Sequence, residues 1–133
     1  MVGRISYLDT QDVDIFQLAR LMEDVGWHNR ARDTGRLAQL VSGSMFIASA
    51  WHGDRLVGFA RAISDGISQA FISDVAILED YKRRGIGREL VGRIVHGRDH
   101  ICFVVQGTSE LEDCRTDMGF QSAPEMWQRP GKD

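Results

Sequence analysis

A short basic turn is the part of this sequence whose residue types are best suited to bind an anion. Four cations and two glycines fall within seven positions, in the run Lys82-Arg83-Arg84-Gly85-Ile86-Gly87-Arg88. The first amides of a helix lack intrahelical partners and lie at the positive end of the helix dipole, so a helix that begins here can bind phosphate. Gly85 and Gly87 leave room for a pyrophosphate to reach the main chain. Two other interpretations stay open, a solvated charged face and a helix start whose glycines allow close packing.

Two common phosphate-binding signatures do not fit this turn. A P-loop requires Gly-Lys-Ser or Gly-Lys-Thr, which does not follow the glycines here. A dinucleotide fingerprint requires a third glycine at the position where this chain has Leu90. The turn therefore predicts a phosphate-bearing ligand outside those two classes.

Hydrophobic periodicity indicates the elements that position the turn. Alternating apolar residues predict strands, and apolar residues at helical spacing predict helices. The predicted strands are residues 4–8, 45–51, 55–62, 69–78, 101–105 and 120–127. The predicted helices are residues 11–25, residues 33–42, a helix that begins at the glycines of the turn, and residues 108–118 with Thr108 as cap. The basic turn thus joins a buried strand to an amphipathic helix that carries Ile86, Leu90 and Ile94 on one stripe.

Composition limits the function classes. A chain of 133 residues has the size of one domain, 1–133, and its net charge of -3 provides no general attraction to nucleic acid or to an anionic membrane. No window approaches the roughly 20 apolar residues that a membrane span needs. Cys102 and Cys114 lack the neighbours of a zinc site and are too few for a disulfide framework. We expect a cytoplasmic protein that binds no metal, nucleic acid or membrane.

The strand, turn and helix together resemble the GNAT superfamily of acetyltransferases. The family motif is Gln/Arg-x-x-Gly-x-Gly/Ala after a strand similar to Leu-Ala-Val and an acidic turn. The matching segments are Val75-Ala76-Ile77, Glu79-Asp80-Tyr81 and Lys82-Arg83-Arg84-Gly85-Ile86-Gly87. Lys82 replaces the family's Gln or Arg, which removes the fork geometry but keeps a point charge for a phosphate. The segments Leu56-Val57-Gly58-Phe59-Ala60-Arg61 and Met118-Gly119-Phe120 are similar to the family's third strand and its near-terminal Gly-Phe.

The resemblance implies a fold and a binding mode for acetyl-CoA. The fold is α/β (α+β), with a mixed, mainly antiparallel sheet of six to seven strands, flanking helices and two strands that splay at the acetyl-CoA cleft. A bulge in the strand at Val75 would direct an N–H towards the thioester carbonyl. The pantetheine arm would pair with the main chain of residues 75–77, and the pyrophosphate would meet the amides of residues 83–88. The implied cofactor-binding residues are Val75, Ala76, Ile77, Lys82, Arg83, Arg84, Gly85, Ile86, Gly87 and Arg88.

Asp74 and Ser73 are the candidate catalytic residues. Acetylation of an amine needs a group that accepts the proton of the attacking nitrogen, and Asp74 lies in the strand that leads to the turn. Asp74 could instead be paired in the core, hydrogen-bonded to a bulge, or bound to the substrate ammonium. Ser73 either relays a proton or is a passive strand serine. Arg115 stands where the family often has a Tyr as general acid, and arginine does not donate a proton at ordinary pH.

The resulting hypothesis is an N-acetyltransferase that transfers acetyl from acetyl-CoA to a primary amine of a small molecule, by direct attack in a ternary complex. The alternative is a non-catalytic module that binds acetyl-CoA in a regulatory or interaction role, which the residue at Arg115 favours. Homodimers formed through strand edges are common in the resembled family, so a homodimer is a further expectation.

Overall fold

A single five-stranded sheet lies at the centre of the protein in the computed structural model, which describes residues 3–106, 109–112 and 114–132. The strands are β1 Ile5–Leu8, β2 Phe46–His52, β3 Arg55–Ser64, β4 Gln69–Ile77 and β5 Cys102–Val105. They are neighbours in the order β1-β2-β3-β4-β5. The first four pair antiparallel, and β5 pairs parallel with β4. The sequence-based expectation of a mixed, mainly antiparallel sheet is confirmed.

Two tight turns join the central strands, and their residues explain the geometry. Gly53, between β2 and β3, has a φ of 60°, and Gly66, between β3 and β4, has a φ of 78°. Both values lie in the left-handed region that glycine adopts without steric cost. Asp65 completes the second turn because its carboxylate accepts hydrogen bonds from the amides of Ile67 and Ser68, both at 2.8 Å. These local contacts fix the β3–β4 hairpin.

Among the described residues, four α-helices flank the sheet: α1 Ile15–Asp24, α2 His28–Arg32, α3 Thr34–Ser42 and α4 Ile86–Val95. The first helix begins later than its apolar pattern predicts because Asp14 caps it, accepting from the amides of Phe16 at 2.9 Å and Gln17 at 3.1 Å. Helix α2 lies between the predicted helices at residues 11–25 and 33–42, where no element was predicted. Short 3-10 helices occur at Glu79–Tyr81 and Ser109–Leu111.

Helix α4 packs against β2 and β3 and carries the basic turn at its N-terminal end. The predicted stripe of Ile86, Leu90 and Ile94 is buried. Gly58 of β3 permits this close approach, since a Cβ there would lie 3.1 Å from Ile86 and 3.2 Å from Leu90. The start of α4 is therefore fixed by contact with the middle of the sheet.

The prediction of six to seven strands is wrong, since the described residues form five. Residues 120–127 do not form the predicted strand, and the predicted last helix is reduced to Ser109–Leu111 followed by turns. Thr108, its predicted cap, lies outside the described residues. Pro124 and Pro130 have no N–H to donate to a strand, and Trp127 is 97% exposed. Without burial or a regular ladder, this segment has too little to hold it as a sixth strand.

Candidate functional site

The basic turn changes direction sharply before α4 because two of its residues are left-handed. Arg83 has a φ of 62° and Gly85 a φ of 80°. Gly85 is the N-cap of α4, and its carbonyl accepts from the amide of Glu89 at 3.0 Å. No side chain among the described residues caps this helix start. The amides of residues 86–88 thus suit an external anion, which is the arrangement that phosphate binding needs.

Glycine is favoured at positions 85 and 87 of the turn for different structural reasons. A Cβ at Gly85 would meet no atom within 4 Å, so the backbone conformation is what favours glycine there. A Cβ at Gly87 would lie 3.1 Å from the carbonyl oxygen of Glu110. The packing interpretation therefore accounts for Gly87, whereas open space beside Gly85 fits the approach of a ligand. That both glycines serve a pyrophosphate stays a prediction.

The four cations of the turn divide into one neutralised lysine and three exposed arginines. Lys82 pairs with Glu79 at 3.1 Å and with Glu110 at 3.4 Å. The hydrogen bond to Glu79, helped by Glu110, raises the pKa of Lys82 above its ordinary value. The exposed arginines are Arg83, Arg84 and Arg88. Carboxylates balance the charge of Lys82, and Arg88 lies 3.7 Å from Asp117, so Arg83 and Arg84 are the better candidates for phosphate contacts.

Strand β4 carries a bulge next to the segment expected to meet the pantetheine arm. Arg61 pairs with Asp74 and Ala62 with Ile72, so Ser73 is the extra residue. Strand β5 pairs with residues 69–72 and ends at Val105, and β4 continues past it through residues 73–77. The main chain of Val75, Ala76 and Ile77 therefore lies beyond the end of the β4–β5 ladder, while their side chains are buried. This is consistent with the expected splayed cleft.

Asp74 lies at the bulge in a buried network of arginines. It is 4% exposed, and its Oδ2 atom accepts from Nε of Arg61 at 2.6 Å and from Nη1 of Arg30. Arg61 is 5% exposed and also donates to the hydroxyls of Ser44 and Ser73, each at 3.2 Å. Of the arrangements that the sequence left open, the structure shows the paired one. The role of Asp74 as a general base stays a prediction.

Sequence reasoning missed Arg30 and gave Arg61 no role at the site. One signal was present for Arg61, a cation in the middle of the apolar run 56–62, which needs a buried partner. The hairpin register supplies that partner by placing Arg61 opposite Asp74. Arg30 gave no such signal, because it belongs to a five-residue helix without buried residues.

Comparison with known proteins identifies the family. The sequence profile of the acetyltransferase (GNAT) family matches residues 13–112, which include β2, β3, β4, β5, α4 and the basic turn. The chain belongs to the GNAT acetyltransferase family. The GNAT motif proposed from the sequence thus lies within the matched region.

Individual GNAT relatives support the same placement. The chain is 29% identical over 138 positions to histone acetyltransferase TAP1 of Glycine max, which covers 93% of this chain and 59% of that protein. It is 32% identical over 93 residues to an uncharacterized N-acetyltransferase, ycf52-like, of Prochlorococcus marinus, with coverages of 67% and 51%. The chain thus spans between half and three-fifths of these two proteins. A GNAT-family structure from Streptococcus pneumoniae TIGR4 superposes with a TM-score of 0.75 at 26% identity, covering 96% of this chain and 100% of that one.

Two further regions of this GNAT chain carry polar or aromatic side chains, the surroundings of Arg115 and the start of α2. Arg115, at the usual Tyr position, lines a cavity of about 990 Å³ between β5 and residues 115–126. His28 pairs with Glu23 at 2.9 Å, and the ring of Trp27 lies 5.8 Å from the guanidinium of Arg30. In the part of the chain that is described, no group of His, Cys, Asp or Glu could hold a metal ion, and no helix is long and apolar enough to cross a membrane.

Proposed function

We propose that this GNAT protein transfers acetyl from acetyl-CoA to a primary amine of a small molecule. The observation that carries the proposal is the start of α4, where left-handed Arg83 and Gly85 present uncapped amides beside three exposed arginines. A pyrophosphate needs such N–H donors and positive charge. The main chain of residues 75–77, beyond the end of β5, is the proposed contact of the pantetheine arm.

The reaction assigns a role to the bulge of β4. The amine nitrogen attacks the thioester carbon, a C–N bond forms, the C–S bond breaks, and CoA leaves as a thiolate. An N–H at or beside Val75 would stabilise the negative charge on the carbonyl oxygen. Asp74 is the proposed acceptor of the amine proton or ligand of the ammonium, and solvent is the proposed proton source for the thiolate.

A direct test measures release of free CoA thiol with a panel of polyamines, arylalkylamines, amino acids and peptides. Calorimetric titration of acetyl-CoA into Gly85→Glu tests the site, because the new carboxylate would occupy the anion position. We expect affinity to fall by at least about tenfold. Gly97→Glu is the matched control, since Gly97 has a φ of 76°, meets no atom within 4 Å at its Cβ position, and lies beyond the other end of α4. Equal affinity of the wild type and Gly85→Glu would reject the turn as the acetyl-CoA site.

The second candidate is a module that binds acetyl-CoA without catalysis. The pairing of Asp74 with two arginines favours it, because both guanidinium groups occupy the carboxylate oxygen that an acceptor amine would have to reach. The thiol assay separates the two functions. Acetyl-CoA binding without thiol release across the whole panel would support the non-catalytic module, whereas thiol release with any amine would support the transferase.

A further inference from the structure

The two arginines that bind Asp74 differ in how firmly they are held. Arg61 lies in the middle of β3, is buried, and donates to three side chains. Arg30 has a side chain that is 36% exposed and lies on α2, a helix of five residues with none buried. Its guanidinium donates to Asp74 and lies 5.8 Å from the ring of Trp27. Arg30 can therefore leave Asp74 without unpacking the core, and Arg61 cannot.

The charges of this cluster oppose the arrival of a cationic acceptor. Two guanidinium groups and one carboxylate give the trio of Arg30, Arg61 and Asp74 a net charge of +1, by the sum of +2 and -1. Most primary amines carry a positive charge near neutral pH. Such an amine would meet repulsion at Asp74 for as long as both arginines stay, since like charges repel strongly where water is scarce. Access to Asp74 therefore requires that one arginine leaves.

We propose that Arg30 determines acceptor selectivity by occupying Asp74 until the cationic group of the acceptor replaces it. This inference rests on the proposed function, in which Asp74 contacts the acceptor nitrogen. The exchange of one cation for another keeps the net charge at the bulge constant, and the released guanidinium regains water at the surface. An acceptor that carries a carboxylate beside its amine has no net positive charge with which to replace that of Arg30, so the exchange favours amines without a neighbouring acid.

Arg30→Ala tests the exchange, with Arg32→Ala as the matched control. Arg32 is an exposed arginine on the same helix, so its removal changes the overall charge equally. The acceptors are 2-phenylethylamine and phenylalanine, which differ by one carboxylate. We expect Arg30→Ala to lower KM for 2-phenylethylamine by about fivefold and Arg32→Ala to leave it nearly unchanged. In an Asp74→Asn background, the substitution at Arg30 should have no further effect on KM.

Calorimetric titration measures the affinity for 2-phenylethylamine directly, so this test does not depend on turnover. If Arg30→Ala binds this amine more tightly than the wild type while no variant releases thiol, the exchange stands and the transferase function fails. If the wild type acetylates the amine but Arg30→Ala leaves KM and affinity unchanged or weaker, the exchange is overturned and the transferase function stands. A higher KM for phenylalanine alone would also overturn it, because Arg30 would then bind the acceptor carboxylate. Arg30→Gln, compared in the same assays, replaces the alanine variant if that one does not fold.

Discussion

Replacement of Arg61 by methionine should remove a large part of the stability of this fold. The substitution leaves Asp74 buried with only the partly exposed Arg30, and it deprives two serine hydroxyls of their arginine donor. Loss of the buried partner from such an ion pair costs about 3 to 5 kcal/mol, and Arg30, whose charge water screens, compensates the remaining carboxylate only in part. A domain is stable by only about 5 to 15 kcal/mol. The melting temperature should therefore fall by roughly 10 to 20 °C.

Two further variants separate this effect from a general loss of charge. Arg30→Met removes a partly exposed cation from the same carboxylate, and solvent screening limits the expected loss to about 1 kcal/mol. The double variant Arg61→Met with Asp74→Met removes both buried charges. Since an apolar pair of similar volume often replaces a buried ion pair at little cost, the double variant should be more stable than Arg61→Met alone.

Urea unfolding at neutral pH gives the free energies of the wild type, these three variants and Asp74→Met alone, and thermal melting provides an independent comparison. The reasoning about the buried pair would be refuted by a loss below about 1 kcal/mol in Arg61→Met. It would also be refuted if the double variant were as unstable as the sum of its two single variants, since the coupling between the charges would then be absent.

Three more changes test other parts of the structure. Gly58→Ala should cost about 1 to 3 kcal/mol in urea unfolding, because its Cβ would press on Ile86 and Leu90, and wild-type stability would contradict the close packing. Gly85→Ala should cost about 1 to 2 kcal/mol from its left-handed backbone alone, and a stabilised variant in the same assay would exclude that conformation. Hydrogen bonds from Ser68 lower the pKa of Asp65 below 3.8, so Asp65 stabilises the fold above about pH 4 and loses this contribution as pH falls towards the lowered value. The melting-temperature gap between wild type and Asp65→Ala should therefore stay constant down to about pH 4 and narrow at lower pH, and a gap that does not narrow there would exclude the ionised carboxylate as the cause.

Local patterns predicted the parts of the fold that depend on neighbours in sequence. The alternation of apolar residues and the turn glycines predicted β2, β3 and β4. Apolar residues at helical spacing predicted α4, which begins at the basic turn. The pairing of Asp74 could not be predicted in this way, because it depends on the β3–β4 register, the extra residue Ser73 and a side chain from α2. The sixth strand was predicted over residues 120–127, where Phe120 packs partly against the core but Met126 and Trp127 remain exposed. Apolar character predicts a strand only where a partner strand buries it.

The parallel pairing of β4 with β5 places the basic turn in a connection that closes late during folding. Strands β2, β3 and β4 join through short hairpins, whereas β5 can pair only after the chain has crossed over through α4. Closing that longer loop has an entropic cost, and the turn lies within it. A ligand held by the turn would reduce this cost, and at about 100 times its dissociation constant it would add roughly 2.7 kcal/mol to the stability of the native state. For acetyl-CoA, the proposed ligand of the turn, the lifetime of the protein against proteases would then follow the supply of that ligand.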